Sequence, residues 1–319
     1  MKIVVLERNS VGTDISIEGI TSLGEAVAYP NTVADEVVER IHDAEIIVAN
    51  KVPLNEGTLK DAPNVKLICE FATGFDNVDI AYCRSRGIKV ANIVGYSTDS
   101  VAQHTFALCL YVLEKLKRYD DYVKSGTYAA QSRFSNFDLP FFELAGKTWG
   151  IVGMGNIGRK VAQIAAAFGC RVIFYSVTGK SSCTDYERVD FDTLLAESDV
   201  LSLHCPLSDL TRHLINKEAL KKMKSSAVLV NVARGSVICD EDLYEALVEG
   251  EIAGAGLDVT STEPMKESNP LSRIQDSSRL IITPHMAWAS VEARIRCVNE
   301  TAENIKAFLS GENRNIVNL

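Results

Sequence analysis

Short apolar runs alternate with longer amphipathic segments along the chain. In its first third the apolar runs are "KIVVLE", "AEIIVAN", "KLICEF" and "KVANI", each of strand length. Between them, "NTVADEVVERIHD" and "NVDIAYCRSRG" have apolar residues at helical spacing. Strands that alternate with helices are typical of a parallel sheet with helical crossovers. The pattern therefore predicts an α/β fold.

The pattern changes in the middle of the chain and then restarts. Residues 100–125 form one long helical pattern, which Thr98 or Ser100 can cap, and an irregular stretch follows. From Lys147 the alternation resumes with the strands "KTWGIVGMG", "RVIFYS", "DVLSLHCP", "AVLVNVA", "GAGLDVT" and "LIITPH". A final helix is predicted near the C-terminus. We predict two domains, residues 1–98 together with the returning segment 291–319, and residues 99–290.

The first strand of the second half leads into a glycine-rich turn. "GIVGMGNIG" places Gly153, Gly155 and Gly158 in G-x-G-x-x-G spacing, after a strand and at the start of a helix. In that context the glycines allow a tight turn, close approach of a pyrophosphate and close packing of helix on strand. The helix N-terminus favours the phosphate charge. We predict a dinucleotide site; the alternative is a purely structural turn.

The next strand would normally end in an acid that binds the ribose of NAD. Here the strand "RVIFYS" ends at Ser176, and no carboxylate stands there. Thr178 and Lys180 follow, and either could contact a ribose or a 2′-phosphate. The alternative for Lys180 is a solvated loop lysine. The sequence therefore predicts NAD as cofactor and does not exclude NADP.

Composition narrows the class of protein. The chain has 319 residues, 46% of them hydrophobic, and a formal net charge of -9, which argues against a nucleic-acid partner. The longest apolar runs are too short to span a membrane, and Glu7 interrupts the only run near the N-terminus. The eight cysteines are scattered without metal-ligand spacing, which predicts reduced thiols in the cytoplasm and no metal site.

Three later strands end in chemically reactive side chains. "AVLVNVA" is followed by Arg234, "GAGLDVT" contains Asp258 and precedes Glu263, and "LIITPH" ends at His285. Each has a structural alternative: an ion pair for the arginine, a turn for the glutamate, a loop for the histidine. In a doubly wound sheet, however, the carboxyl ends of the strands line the ligand crevice. We expect the three side chains to lie together beside the dinucleotide.

Such a group suits hydride transfer to a 2-oxo acid. The alkoxide that forms needs a proton, and histidine titrates near neutral pH. A carboxylate on the other ring nitrogen would fix the tautomer of His285. A guanidinium can bind a carboxylate and polarise the neighbouring carbonyl, which predicts Arg234 as the substrate-binding group.

The chain resembles the D-isomer-specific 2-hydroxyacid dehydrogenases over nearly its whole length. The resemblance is carried by "ATGFDNVD", "DSVAQHTFAL", "ELAGKTWGIVGMGNIG", "HCPLSDLTRHLIN", "VNVARGSVICDEDL", "GAGLDVTSTEP" and "TPHMAWAS", in the family's order. It implies two Rossmann-like doubly wound parallel-sheet domains, an N-terminal substrate domain and an inserted dinucleotide-binding domain. It also implies a homodimer, built partly through the long helix region.

The resemblance also assigns roles to residues. It implies that Arg234 orients the substrate, that Glu263 pairs with the histidine and that His285 is the acid/base. It implies that backbone amides around Thr73 and Gly74 hold the substrate carboxylate. Further residues are implied to surround the cofactor: Asn156, Ile157, Pro206, Ala233 and Asp258.

The chain departs from the family pattern at two positions. Gln103 stands where the family usually has a glutamate, and Ser176 stands where it usually has an aspartate. Because Ser176 has no carboxylate to repel a 2′-phosphate, we expect the preference for NAD(H) over NADP(H) to be weak. "ATGF" and "YSTDSVAQHTFAL" most resemble the glycerate dehydrogenase (hydroxypyruvate reductase) branch. D-lactate and larger 2-hydroxy acids remain alternatives. A different class, an NAD-sensing corepressor that binds peptides, uses the same fold.

Overall fold

The computed structural model describes residues 1–319, which divide into two compact units. The N-terminal unit comprises residues 1–97 and 288–319, and the central unit comprises residues 98–287. The assignment of substrate binding to the first and of the dinucleotide to the second stays a prediction. None of the helices combines the length and the apolar character needed to cross a membrane.

The N-terminal unit contains a five-stranded, all-parallel sheet. Its strands lie in the order β2-β1-β3-β4-β5. Their bounds are β1 Lys2–Val5, β2 Glu25–Ala28, β3 Ile46–Ala49, β4 Leu67–Glu70 and β5 Lys89–Ala91. The helices of this unit are α1 Glu18–Thr21, α2 Val37–Ile41, α3 Glu56–Leu59, α4 Ile80–Ser85 and α11 Val291–Leu309.

The sheet of the N-terminal unit is buried on both faces, as parallel sheets usually are. β3 is buried at all four of its positions, and so is β4. The long helix α11 packs its apolar side, including Ala293, Cys297 and Ile305, against one face of the sheet. Side chains of α2 and α4 cover the other face.

The central unit contains a seven-stranded, all-parallel sheet in the order β12-β11-β10-β9-β6-β7-β8. Its strands are β6 Thr148–Val152, β7 Arg171–Tyr175, β8 Glu187–Arg188, β9 Val200–Leu203, β10 Val228–Asn231, β11 Gly254–Leu257 and β12 Leu280–Ile282. Its helices are α5 Thr98–Leu113, α6 Leu116–Lys124, α7 Asn156–Ala167, α8 Phe191–Glu197, α9 Lys217–Lys222 and α10 Asp240–Glu249. The predicted fold class, two parallel α/β sheets, is confirmed.

One helix prediction was wrong. The single helix expected over residues 100–125 is two helices, because Lys115 adopts a left-handed backbone with φ of 56°. A left-handed residue interrupts a right-handed helix. Lys115 Nζ donates to the carbonyl of Ser278 at 2.9 Å, a contact that ties down the break.

Candidate active site

Three neighbouring strands carry the reactive side chains. β10, β11 and β12 are adjacent and parallel, with Val228 opposite Gly254 and Ala255 opposite Leu280. Their carboxyl ends therefore meet at one edge of the sheet. Arg234 follows β10, Glu263 follows β11 and His285 follows β12. The structure thus brings these three predicted residues to the same edge of the central unit.

His285 and Glu263 form a hydrogen-bonded pair. The Nδ1 of His285 lies 2.7 Å from the Oε2 of Glu263, and both side chains are partly exposed, at 27% and 34%. The other oxygen of Glu263 accepts the backbone N–H of Thr260 at 3.3 Å. Because the carboxylate engages Nδ1, the Nε2 atom is left to face a reacting group. This is the arrangement required of an oriented acid/base.

The backbone of His285 is strained, and Asp258 holds it in place. His285 has a φ of 52°, and its N–H donates to the carbonyl of Asp258 at 2.8 Å. The Asp258 carboxylate accepts the N–H groups of Met286 and Ala287 at 2.9 and 2.8 Å, and the hydroxyl of Thr283 at 2.5 Å. Left-handed backbone in a non-glycine residue persists only where its surroundings enforce it. Asp258 is that enforcing group.

Asp258 is almost fully buried, and a histidine assists it. Burial alone would raise the pKa of Asp258, but hydrogen bonds from His104, Thr283 and the two amides outweigh it, so the pKa lies below its ordinary value. The Nε2 of His104 lies 2.9 Å from the Thr283 hydroxyl and 3.5 Å from Asp258. This role of His104 was not predicted, although the residue lies within the motif "DSVAQHTFAL".

Arg234 is positioned by the turn that follows β10. The buried Asn231 donates its Nδ2 to the carbonyl of Arg234 at 3.0 Å and accepts the N–H of Ala233 at 3.0 Å. The guanidinium Nη1 donates to the carbonyl of Ala233 at 2.8 Å. A Cβ on Gly235 would lie 1.9 Å from backbone atoms of Thr260. Only glycine therefore lets the loops after β10 and β11 approach this closely.

The glycine-rich turn has the shape of a phosphate cradle. Gly153 has a φ of 93°, and a Cβ there would lie 2.9 Å from the backbone of Cys205. A Cβ on Gly158 would lie 2.1 Å from the carbonyl of Gly153, so helix α7 packs tightly on the turn. A Cβ on Gly155, at the N-cap of α7, would meet nothing within 4 Å. Open space there leaves room for a pyrophosphate at the helix N-terminus.

A cleft of about 320 Å³ adjoins this cradle. It is lined by Gly153, Met154, Gly155, Arg159, Ser176, Val177, Thr178, Lys180, Ser181, Ser182, Cys205 and Pro206. The predicted residues Asn156 and Ile157 form the first turn of α7, whereas Ala233 and Asp258 do not line the cleft. The sequence reasoning missed Arg159, whose signal was a cation directly after the third glycine.

Thr73 and Gly74 lie in the N-terminal unit, in the loop after β4. The Thr73 hydroxyl donates to the carbonyl of Ile93 at 2.7 Å, and the Asn92 amide donates to the carbonyl of Thr73 at 2.8 Å. These two bonds fix the loop.

No group of three or more His, Cys, Asp or Glu side chains is arranged to hold a metal ion.

A parallel α/β unit with a glycine cradle and an Arg–Glu–His edge defines a nucleotide-dependent oxidoreductase. The sequence profile described as "D-isomer specific 2-hydroxyacid dehydrogenase, NAD binding domain" matches residues 106–287. The chain is 38% identical to the hydroxypyruvate reductase of Blautia hydrogenotrophica, over 100% of both chains. It is 39% identical to the glycerate dehydrogenase of Methylorubrum extorquens, over 99% of this chain and 98% of that one.

A solved structure of a D-2-hydroxyacid dehydrogenase is also similar to this chain. The D-lactate dehydrogenase from Aquifex aeolicus, complexed with NAD and lactic acid, has a TM-score of 0.86 and 31% identity, over 98% of this chain and 96% of that one. The chain belongs to the D-isomer-specific 2-hydroxyacid dehydrogenase family. It is an oxidoreductase that acts on CH–OH donors and has the NAD-binding domain of that family.

Proposed function

We propose that the protein interconverts hydroxypyruvate and D-glycerate. The observation that carries the proposal is the His285–Glu263 pair at 2.7 Å, beside Arg234 on the same sheet edge. The full-length similarity to a hydroxypyruvate reductase and a glycerate dehydrogenase supports this choice of substrate. D-lactate and larger 2-hydroxy acids are the competing substrates.

In reduction, a nicotinamide cofactor held at the glycine cradle would supply the hydride for the carbonyl carbon of the substrate. Arg234 binds the substrate carboxylate and polarises the 2-oxo group, so negative charge that develops on that oxygen is stabilised. His285 gives the proton from Nε2 to the oxygen, and its Nδ1 stays bonded to Glu263. For the amides around Thr73 and Gly74, which belong to the N-terminal unit, a role in holding the carboxylate is what the family resemblance implies. In oxidation the proton returns to His285.

The cradle residues fit the cofactor. Gly155 leaves open space at the start of α7, and Gly153 and Gly158 bring strand, turn and helix together without side chains. Asn156 and Ile157 would present first-turn amides to the pyrophosphate. Ser176 and Pro206 line the adjoining cleft. Ala233 directly precedes Arg234 in the chain. Asp258 contributes by holding the loop of His285.

A panel of 2-oxo acids tests the substrate. Hydroxypyruvate, glyoxylate, pyruvate and a longer 2-oxo acid would each be reduced with NADH and with NADPH, and kcat/KM would be measured from absorbance at the cofactor's band. We expect the highest kcat/KM for hydroxypyruvate. A higher kcat/KM for pyruvate would refute hydroxypyruvate as the preferred substrate and would leave the reaction class unchanged.

We also propose a homodimer in the cytoplasm. Phe134, Phe137 and Phe141 lie between α6 and β6 and are 88%, 76% and 58% exposed, which is unusual for phenylalanine. A second copy of the chain would cover them. The eight cysteines are all unpaired, which fits a reducing compartment. Light scattering of the purified protein tests the homodimer. Cell fractionation, followed by counting the free thiols of the protein, tests the reducing compartment.

A further inference from the structure

Glu263 lies on a segment that is exposed to solvent. Residues 261–268, between β11 and β12, are all exposed. The Oε1 of Glu263 accepts the backbone N–H of Thr260 at 3.3 Å, and the Thr260 hydroxyl donates to the carbonyl of Thr262 at 2.9 Å. Both bonds join residues of one turn, so neither attaches the segment to another element. Exposed loops are mobile unless buried groups anchor them. The fixed position of Glu263 therefore requires an anchor.

One buried carboxylate attaches both ends of this segment to helix α10. Asp240 is the first residue of α10 and is 5% exposed. Its Oδ2 accepts the hydroxyl of Ser261 at 2.5 Å and the Nδ2 of Asn269 at 2.6 Å. Hydrogen bonds to an ionised carboxylate are about twice as strong as those between neutral groups. Residues 262–268, which include Glu263, therefore lie between two fixed points.

Asp240 also connects the loop of Glu263 with the loop of Arg234. It lies on the connection from β10 to α10, which carries Arg234 as well. The two loops touch at Gly235, where a Cβ would lie 1.9 Å from the backbone of Thr260. The hydrogen bonds of Asp240 begin one residue after this contact. Two independent contacts thus set the position of the Glu263 loop against the loop after β10.

We propose that Asp240 is a positioning residue for the acid/base pair, because it holds Glu263 where its carboxylate bonds the Nδ1 of His285. The inference rests on the proposed role of His285 as the acid/base. With Glu263 in place, the neutral ring carries its proton on Nδ1, and Nε2 can face the substrate oxygen. Asp240 acts through Ser261 and Asn269. Without these two bonds the loop gains other conformations, and the ring loses the partner that sets its tautomer.

Nitrogen-15 NMR of protein labelled at histidine tests the proposal without substrate or cofactor. At alkaline pH the chemical shifts of the two ring nitrogens show which of them carries the proton, and the His285→Asn spectrum assigns the His285 signals. In the wild-type protein we expect the proton on Nδ1. In Asp240→Ala we expect a mixture with the Nε2–H form, which predominates in free histidine. Burial lowers the pKa of His204 to about 3, so its unchanged signals show that the central unit is folded.

Steady-state kinetics give a second measurement, with the 2-oxo acid that the wild-type protein reduces best. Asp240→Ala should lower kcat by about 10-fold or more, since a small displacement of a catalytic group costs at least that much. KM should change by less than about twofold, because the turn of Asn231 still positions Arg234. Asp240→Asn keeps an oxygen acceptor at the same place and should restore part of kcat.

The next residue of α10 provides a matched control. Glu241 is exposed, and its Oε2 lies 3.7 Å from the Sγ of Cys239. Glu241→Ala removes a carboxylate from the same turn of the helix but none of the bonds to the loop. It should therefore change neither the His285 signals nor kcat.

Two further variants keep the test valid if Asp240→Ala fails to fold. Ser261→Ala and Asn269→Ala each remove one of the two bonds, and each should shift the tautomer of His285 part of the way. Unchanged His285 signals in folded Asp240→Ala, or in both single-bond variants, overturn the proposal even if kcat falls. If the wild-type protein reduces no 2-oxo acid, the proposed function is wrong, and the spectra still decide whether Asp240 positions the pair.

Discussion

Replacing Glu70 by glutamine should remove a pH-dependent loss of stability from the N-terminal unit. Glu70 ends β4 and has no exposed surface, and its two oxygens lie 3.3 and 3.4 Å from the Nδ2 of Asn77. Burial raises the pKa of Glu70 to about 8; the Asn77 hydrogen bond and Lys51 lower it, and Glu7 raises it further. Glu70 is thus protonated in the folded protein at neutral pH.

The direction of the effect follows from proton binding. The ordinary pKa of a glutamate is 4.5, so between that pH and about 8 the folded chain binds a proton that the unfolded chain has released. The stabilisation is complete below 4.5 and is lost as pH rises to about 8. The loss is ~1.4 kcal/mol per pH unit in that window. Glu70→Gln has no such titration.

The free energy of unfolding of Glu70→Gln relative to wild type should therefore be ~3 kcal/mol larger at pH 7.5 than at pH 5.5. Denaturant titrations at both pH values, followed by fluorescence, measure this difference, and Trp288 lies in the same unit. Other titrating groups cancel because both proteins share them. Glu312→Gln, an exposed glutamate in the same unit, is the control. A difference that is the same at both pH values would refute the burial of a protonated Glu70.

Three further substitutions test the proposed chemistry. His285→Asn should lower kcat by about 10²-fold or more and leave nucleotide Kd unchanged; full activity would remove His285 from the mechanism. Arg234→Ala should lower kcat and raise KM more than Arg234→Lys, which keeps the charge without the planar fork, and steady-state kinetics with added guanidinium should show partial rescue. Asp258→Asn should lower kcat about 10²-fold, because an amide cannot accept both N–H groups that shape the His285 loop. If calorimetry instead shows loss of nucleotide affinity with kcat unchanged, Asp258 serves the cofactor.

The central strands of both sheets could be predicted because they are buried on both faces and so appear as continuous apolar runs. β2, with the sequence "EAVA", was not predicted, because it is an edge strand with partly exposed side chains. The two-residue strand β8 is too short and too polar to give any pattern. The break at Lys115 was also missed, because nothing in the local sequence marks a left-handed lysine.

In the candidate site, sequence spacing predicts the residues at strand ends but not the contacts made by loops. Arg234, Glu263 and His285 follow strands, and strand ends meet wherever parallel strands are neighbours. The contacts of Asp258 depend on a loop that returns to it 28 and 29 residues later, which no spacing rule describes. The burial of Glu70 could not be predicted from the sequence either, because an acid at the end of an apolar run is usually exposed to solvent.

The order in which the chain leaves the ribosome differs for the two units. All of the central unit, residues 98–287, has been synthesised before helix α11 exists, whereas the N-terminal unit must wait for residues 288–319. Ala293, Cys297 and Ile305 of that helix are fully buried, so until then one face of the first sheet stays uncovered. A chain that stops at residue 287 should keep the central unit resistant to limited proteolysis while residues 1–97 are cleaved. The first sheet is therefore made early in translation but exposes apolar surface until the last residues of the chain are made.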